Sequence, residues 1–124
     1  MTAGYDAMPF RVSVVRAGRR AVVRITGELD CATAPGLERA FADLLADGRP
    51  DLVIDAAELA FTDVVGAGVL IDAAEQLAPS GQLTIRNAGG QLVRVLTLLG
   101  YPRLLDDQPY QSRGVSGSSP RSSS

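Results

Sequence analysis

The stretch Phe61-Thr62-Asp63-Val64-Val65-Gly66-Ala67-Gly68 gathers the residue types best suited to form a site. A carboxylate three residues before a glycine predicts a helix start, with Asp63 accepting from the free N–H of Val65 or Gly66. Gly66 and Gly68 would let that first turn come close to a neighbouring backbone. A helix start beyond a buried strand is also where α/β sheets hold ligands. Gly66-Ala67-Gly68 fits a dinucleotide fingerprint poorly, because Ile71 stands at the third glycine position and a hairpin and a helix come first. A nucleotide- or small-ligand-binding module at this turn remains the second reading. No G-x-x-x-x-G-K occurs, so a P-loop is excluded.

Other reactive types are sparse. Asp30, Asp55, Glu58 and Asp63 fall on predicted connections or strand ends, yet none pairs with a nucleophile, and no calcium-loop spacing links them. They read as helix caps or solvated surface. Cys31 stands alone near a helix start, either an inert small residue or a thiol activated there for redox control. All twelve basic residues are arginine, and histidine is absent. That removes His bases, Schiff-base lysines, Ser-His and Cys-His pairs and Cys/His zinc sites, so no enzyme, metal or cofactor is expected. One cysteine cannot form an internal disulfide. A net charge of −2, with both signs interspersed, gives no electrostatic draw to nucleic acid or an anionic membrane. Apolar runs fall well short of the roughly 20 residues of a membrane span, and the first ten residues lack a signal peptide's build. A cytoplasmic binding protein is the expectation.

The elements that must position these residues can be read from periodicity. Residues 1–10 form a lead-in, 11–107 a folded domain, and 108–124 a Ser/Gly/Pro-rich tail expected to be disordered. Val12, Val14 and Arg16 alternate with Ser13, Val15 and Ala17, Gly18-Arg19 turns, and Ala21–Thr26 resumes, which predicts a hairpin. Thr33-Ala34-Pro35 predicts a helix capped by Thr33, with Leu37, Ala40, Phe41, Leu44 and Leu45 inward until Gly48 and Pro50. Leu52-Val53-Ile54 reads as a strand buried on both faces. The helix after Asp63 is expected to bury Val65, Val69, Ala73 and Leu77. Leu83-Thr84-Ile85 reads as a strand, and residues 90–99 as a helix with Leu92, Val95, Leu96 and Leu99 inward. A short final strand is expected near Arg103–Leu105. The order β-β-α-β-α-β-α implies an α/β fold, a small mixed sheet covered by helices. Val93 and Leu98 lie off the inward stripe and are candidates for contact with a partner or a second copy, a homodimer, unless that helix is buried on two sides.

In sequence order, Val23-Arg24-Ile25-Thr26-Gly27-Glu28-Leu29-Asp30, Thr33-Ala34-Pro35, Leu52-Val53-Ile54-Asp55, Phe61-Thr62-Asp63 through Gly66, and Val93-Arg94-Val95-Leu96 up to Gly100 resemble a STAS domain of the bacterial anti-sigma factor antagonist type. The resemblance spans about residues 11–106. It implies a four- to five-stranded mixed sheet with helices mainly on one face. It also implies docking to an anti-sigma factor, a serine kinase of the Bergerat ATPase type, so that a sigma factor is released. The contact residues it implies are Asp30, Thr33, Asp63, Val64, Val65 and Gly66. Such antagonists read Asp-Ser-Ser-Gly or Asp-Ser-Thr-Gly where this chain reads Asp63-Val64-Val65-Gly66. Val65 occupies the phosphoacceptor position and carries no hydroxyl.

Overall fold

A computed structural model describes residues 9–48 and 51–106. The expected tail and most of the lead-in lie outside these residues. Strand β1 (Arg11–Ala17) turns back at Gly18, which takes φ +61°, into β2 (Arg20–Leu29). Helix α1 (Ala34–Ala46), β3 (Asp51–Asp55), β4 (Leu59–Thr62), α2 (Val64–Leu77), β5 (Gln82–Arg86) and α3 (Gly90–Leu98) follow, then a 3₁₀ turn at Pro102–Leu104. The sheet runs β1-β2-β3-β5, antiparallel only at the hairpin, with β4 added beside β2. Five strands and three helices make the small mixed α/β sheet that was expected.

The alternation in β2 shows which face is covered. Ala21, Val23, Ile25 and Leu29 are fully buried, whereas Arg24 and Glu28 are exposed. The helices supply Leu37, Phe41 and Leu44 from α1, Leu70 and Leu77 from α2, and Leu92 and Leu96 from α3 to one cluster with those strand residues. Burial of each such side chain stabilises the fold by about 1.5–3 kcal/mol before chain entropy is counted. Strand β3, central in the sheet, buries Leu52, Val53 and Ile54 on both faces, as its unbroken apolar run predicts.

Four local expectations need correction. Strand β4 was not anticipated: it has four residues, and its pairing with β2 is interrupted by a register shift at Gly27/Glu28, so it shows no regular alternation of its own. Where a last strand was expected near Arg103–Leu105, the chain makes the 3₁₀ turn, and Leu105 alone bridges to Ile85. Val65 is 53% exposed and is not part of the inward stripe of α2. Leu99, the residue just after α3, is 37% exposed and is not part of the inward stripe of that helix.

Candidate functional site

Two parallel neighbours, β2 and β4, finish side by side: Leu29 is in register with Thr62, and Asp63 N–H donates to Leu29 O at 3.1 Å. The residues just past those strand ends are therefore Asp30 and Asp63, each opening the path to a helix. Asp30 accepts from Ala32 N and Thr33 N at 3.0 and 3.1 Å through Oδ1. Thr33 was expected to cap α1 with its hydroxyl and does not. That hydroxyl turns back instead, donating to Glu28 O at 2.8 Å and accepting from Asp30 N at 2.9 Å, so it ties the turn to the strand it left. Asp63 does cap: Oδ1 accepts from Gly66 N at 2.8 Å.

Gly66 is required by space. A Cβ there would lie 2.6 Å from Leu29 Cγ, Leu29 O and Thr62 Oγ1, closer than side-chain carbons approach. The first turn of α2 thus rests directly on the backbone of β2. Gly68 has nothing within 4 Å of such an atom, so the close approach expected of both glycines belongs to Gly66 alone. With the Gly66 N–H engaged by Asp63, this amide is not open to a phosphate.

Around that turn the chain leaves apolar side chains in water: Val64 at 61%, Val65 at 53% and Phe61 at 42% exposure. The hydroxyl of neighbouring Thr62 is fully buried and donates to Asp63 O. Cys31 is exposed on the neighbouring Asp30–Thr33 turn, with no activating partner among its described contacts. The structure brings Asp30, Cys31, Thr33, Asp63, Val64, Val65 and Gly66 onto the carboxyl ends of two adjacent strands. This set forms a surface, apolar at its centre and acidic beside it. Among the described residues no group of three metal-ligand side chains occurs.

Other singled-out residues serve elsewhere. Asp55 ends β3, nearly buried, and accepts from Arg24 Nη2, Asn87 Nδ2 and Ala57 N, each at 3.1 Å. Burial pushes its pKa up, but the donors of Asn87, Ala57 and Arg24 outweigh this and hold the carboxyl below its ordinary value. Its reading as solvated surface is corrected: it is a brace. Glu58 is exposed, and its carbonyl accepts from Gly27 N at 3.1 Å. Val93 and Leu98 are exposed at 37% and 79% on α3, so that helix is not buried on two sides. Two residues of the site were missed. Phe61 stands out only once β4 is known to turn it outward, and Gln91 of α3, which bonds the backbone of Thr62, carries no sequence signal at all.

The family described as "Mlab, STAS domain" matches residues 12–106. The chain belongs to the STAS domain family. This STAS domain is 34% identical over 80 residues to the anti-sigma-F factor antagonist RsfB of Mycobacterium tuberculosis, a match covering 64% of this chain and 66% of that relative, just under two thirds of its length. Among solved structures it is similar to an anti-sigma factor antagonist from Mycobacterium paratuberculosis, at 30% identity and a TM-score of 0.71, covering 81% of this chain and 87% of the other. The anti-sigma factor antagonist SpoIIAA in its unphosphorylated form shares the fold at 20% identity and a TM-score of 0.69, covering 81% and 88%. Among the described residues no helix of this STAS domain is long and apolar enough to cross a membrane.

Proposed function

We propose that this STAS domain is an anti-sigma factor antagonist that works by binding alone, docking through the Asp30–Thr33 turn and the head of α2 to an anti-sigma factor and so freeing a sigma factor. The observation that carries this reading is the placement of exposed Phe61, Val64 and Val65 beside the two aspartate turns, on a base fixed by Gly66 and Leu29. Exposed apolar groups held rigidly and rimmed by polar ones are the makings of a protein-binding surface. The names of the relatives above supply the class of partner. The proposed partner is of the Bergerat-type serine kinase class, and the setting is cytoplasmic. No cofactor, nucleic acid or membrane is part of the reading.

Such a kinase would normally disarm its antagonist by adding about −1.5 to −2 charges to the contact surface. Valine at position 65 cannot take a phosphate, and the hydroxyl of nearby Thr62 is buried. Docking by this chain is therefore proposed to be insensitive to the partner's kinase activity at this turn. The test is titration calorimetry against a panel of anti-sigma factors that includes the anti-sigma-F factor of Mycobacterium tuberculosis, followed by incubation with the bound partner and ATP. Binding without any mass increase on this chain is expected, and Val65→Ser should acquire phosphate and lose affinity. Failure of every anti-sigma factor to bind would overturn the proposal.

A further inference from the structure

Strand β4 has β2 on one side, and among the described residues no strand lies on its other side. The exposed edge of such a strand carries backbone groups that require partners. At Thr62, the last residue of β4, that need is met by a side chain. Gln91 Oε1 accepts from Thr62 N at 3.0 Å, and Gln91 Nε2 donates to Thr62 O at 2.5 Å. One primary amide thus reproduces the donor-and-acceptor pair that a neighbouring strand would offer. The assignment of its two ends is unambiguous, since the Thr62 N–H can only donate.

This contact lies immediately before the docking turn. Thr62 packs fully buried beneath Gly66, and the next residue is Asp63, whose N–H goes to Leu29 and whose carboxylate holds Gly66. The turn is then fixed by three attachments: to β2 through Asp63 N, to itself through the Asp63 cap, and to α3 through Gln91. Gln91 is the only side chain of α3 seen to bond this turn among the described residues. Where α3 begins, Gly89 caps with no side chain of its own, so the first turn of α3 is free to place Gln91 against β4.

We infer that Gln91 is a positioning residue for docking: its amide acts as a one-residue strand that holds Thr62, and through it Asp63–Gly66, in the register that presents Val64 and Val65. This rests on the docking role proposed above, while the clamp itself can be tested in the free protein.

The experiment replaces Gln91 with Glu and, as a control that does not titrate, with Leu. A protonated carboxylic acid can donate to Thr62 O while accepting from Thr62 N, so Gln91→Glu rebuilds the clamp at low pH. Once ionised it has no donor and sets a negative charge against the Thr62 carbonyl, so the clamp opens as pH rises. The ionisable groups on the surrounding elements are Asp63, Asp72 and Glu75 at and along α2, Arg20, Arg24 and Glu28 on β2, Glu58 before β4, Arg94 on α3 and Arg103 on the 3₁₀ turn. Wild type and Gln91→Leu, measured at the same pH values, account for their titration.

Amide hydrogen-exchange protection at Thr62 and Gly66 should fall roughly tenfold or more in Gln91→Glu at pH 7.5 and return to the wild-type value at about pH 3, well below the ordinary glutamate pKa of about 4.3. Gln91→Leu should stay low at both, while core amides of β3 keep their protection in all three proteins. Affinity for the anti-sigma-F factor should follow the protection at neutral pH. Protection in Gln91→Glu that equals wild type at pH 7.5, or falls equally in β3, would overturn the inference. If protection behaves as expected but the wild type binds no anti-sigma factor, the clamp stands and the docking role is what fails.

Discussion

Asp55 closes one parallel strand and Asp63 follows another at the same end of one sheet, yet they sit in opposite surroundings. Asp55 is enclosed by donors from Arg24, Asn87 and Ala57, and its carboxylate has little left to offer a partner. Asp63 holds one amide of its own helix and stands beside Val64, Val65 and Phe61, which have no apolar cover. One region spends its polar groups inward and is finished. The other satisfies its backbone and leaves apolar carbon in water, the state a partner can improve. The contrast separates a carboxylate that keeps the sheet together from one that shapes a surface.

The strongest way to break this contrast is to charge the unfinished region. Val65→Asp should weaken partner binding by two orders of magnitude or more, since a desolvated, unmatched charge costs several kcal/mol in an interface. Because Val65 is half exposed, the thermal midpoint should move by only a degree or two; a parallel collapse of folding and binding would show Val65 to be core. Next in size is Gly66→Ala. The new methyl meets Leu29 O, which cannot retreat without losing its bond from Asp63 N. A cost of about 1–3 kcal/mol is expected, read as a midpoint lowered by roughly 5–20 °C. Gly68→Ala, in open space, should be neutral or slightly stabilising, by no more than about 1 kcal/mol.

The two aspartates sharpen the comparison directly. Asp55→Asn forfeits the ion pair with Arg24, whose side chain is 58% exposed and so contributes modestly, and it also upsets two donors. About 1–2 kcal/mol should be lost at pH 7, measured by urea unfolding. The folded-state pKa of Asp55 lies below that of the unfolded chain, about 3.9. Its contribution is therefore complete above that value and disappears as pH falls through the lower, folded one, so the gap between wild type and Asp55→Asn should narrow below about pH 4. Asp63→Asn is the smallest effect. Asparagine caps helices as well as aspartate does, so stability should stay within about 0.5 kcal/mol.

The sequence displays the elements whose pattern repeats and hides those that depend on neighbours. The hairpin, α1, β3, β5 and the start of α2 each carry an alternation, a 3-4 stripe, an apolar run or a cap, and the structure keeps all of them. Strand β4 exists only because β2 extends beyond β3 and accepts it, which no window of four residues can reveal. Thr33 looked like a cap because of its type and the proline after it, but a hydroxyl can serve the preceding strand equally well, and here Glu28 O wins it. Val65 matched an inward stripe by spacing, yet the first turn of α2 buries Gly66 and Ala67 instead, which leaves Val65 facing outward. At the candidate site, the Asp63 cap was legible from its residue type, whereas Val64 and Val65 entered only through the family resemblance. Gln91 was not legible, because a polar residue in the first turn of a helix is ordinary until the backbone it touches is known.

The absence of a hydroxyl at position 65 also bears on how the protein could be governed in a cell. A surface that accepts a covalent mark can be kept in stock, silent, and released at once by a phosphatase. A surface that cannot be marked has no stored form. On the proposed docking role, the amount of partner engaged would follow the amount of this chain by mass action, rising in proportion to synthesis and decaying only with dilution or degradation. On that proposed role, the chain would meter its partner by dosage, giving a graded answer on the timescale of gene expression.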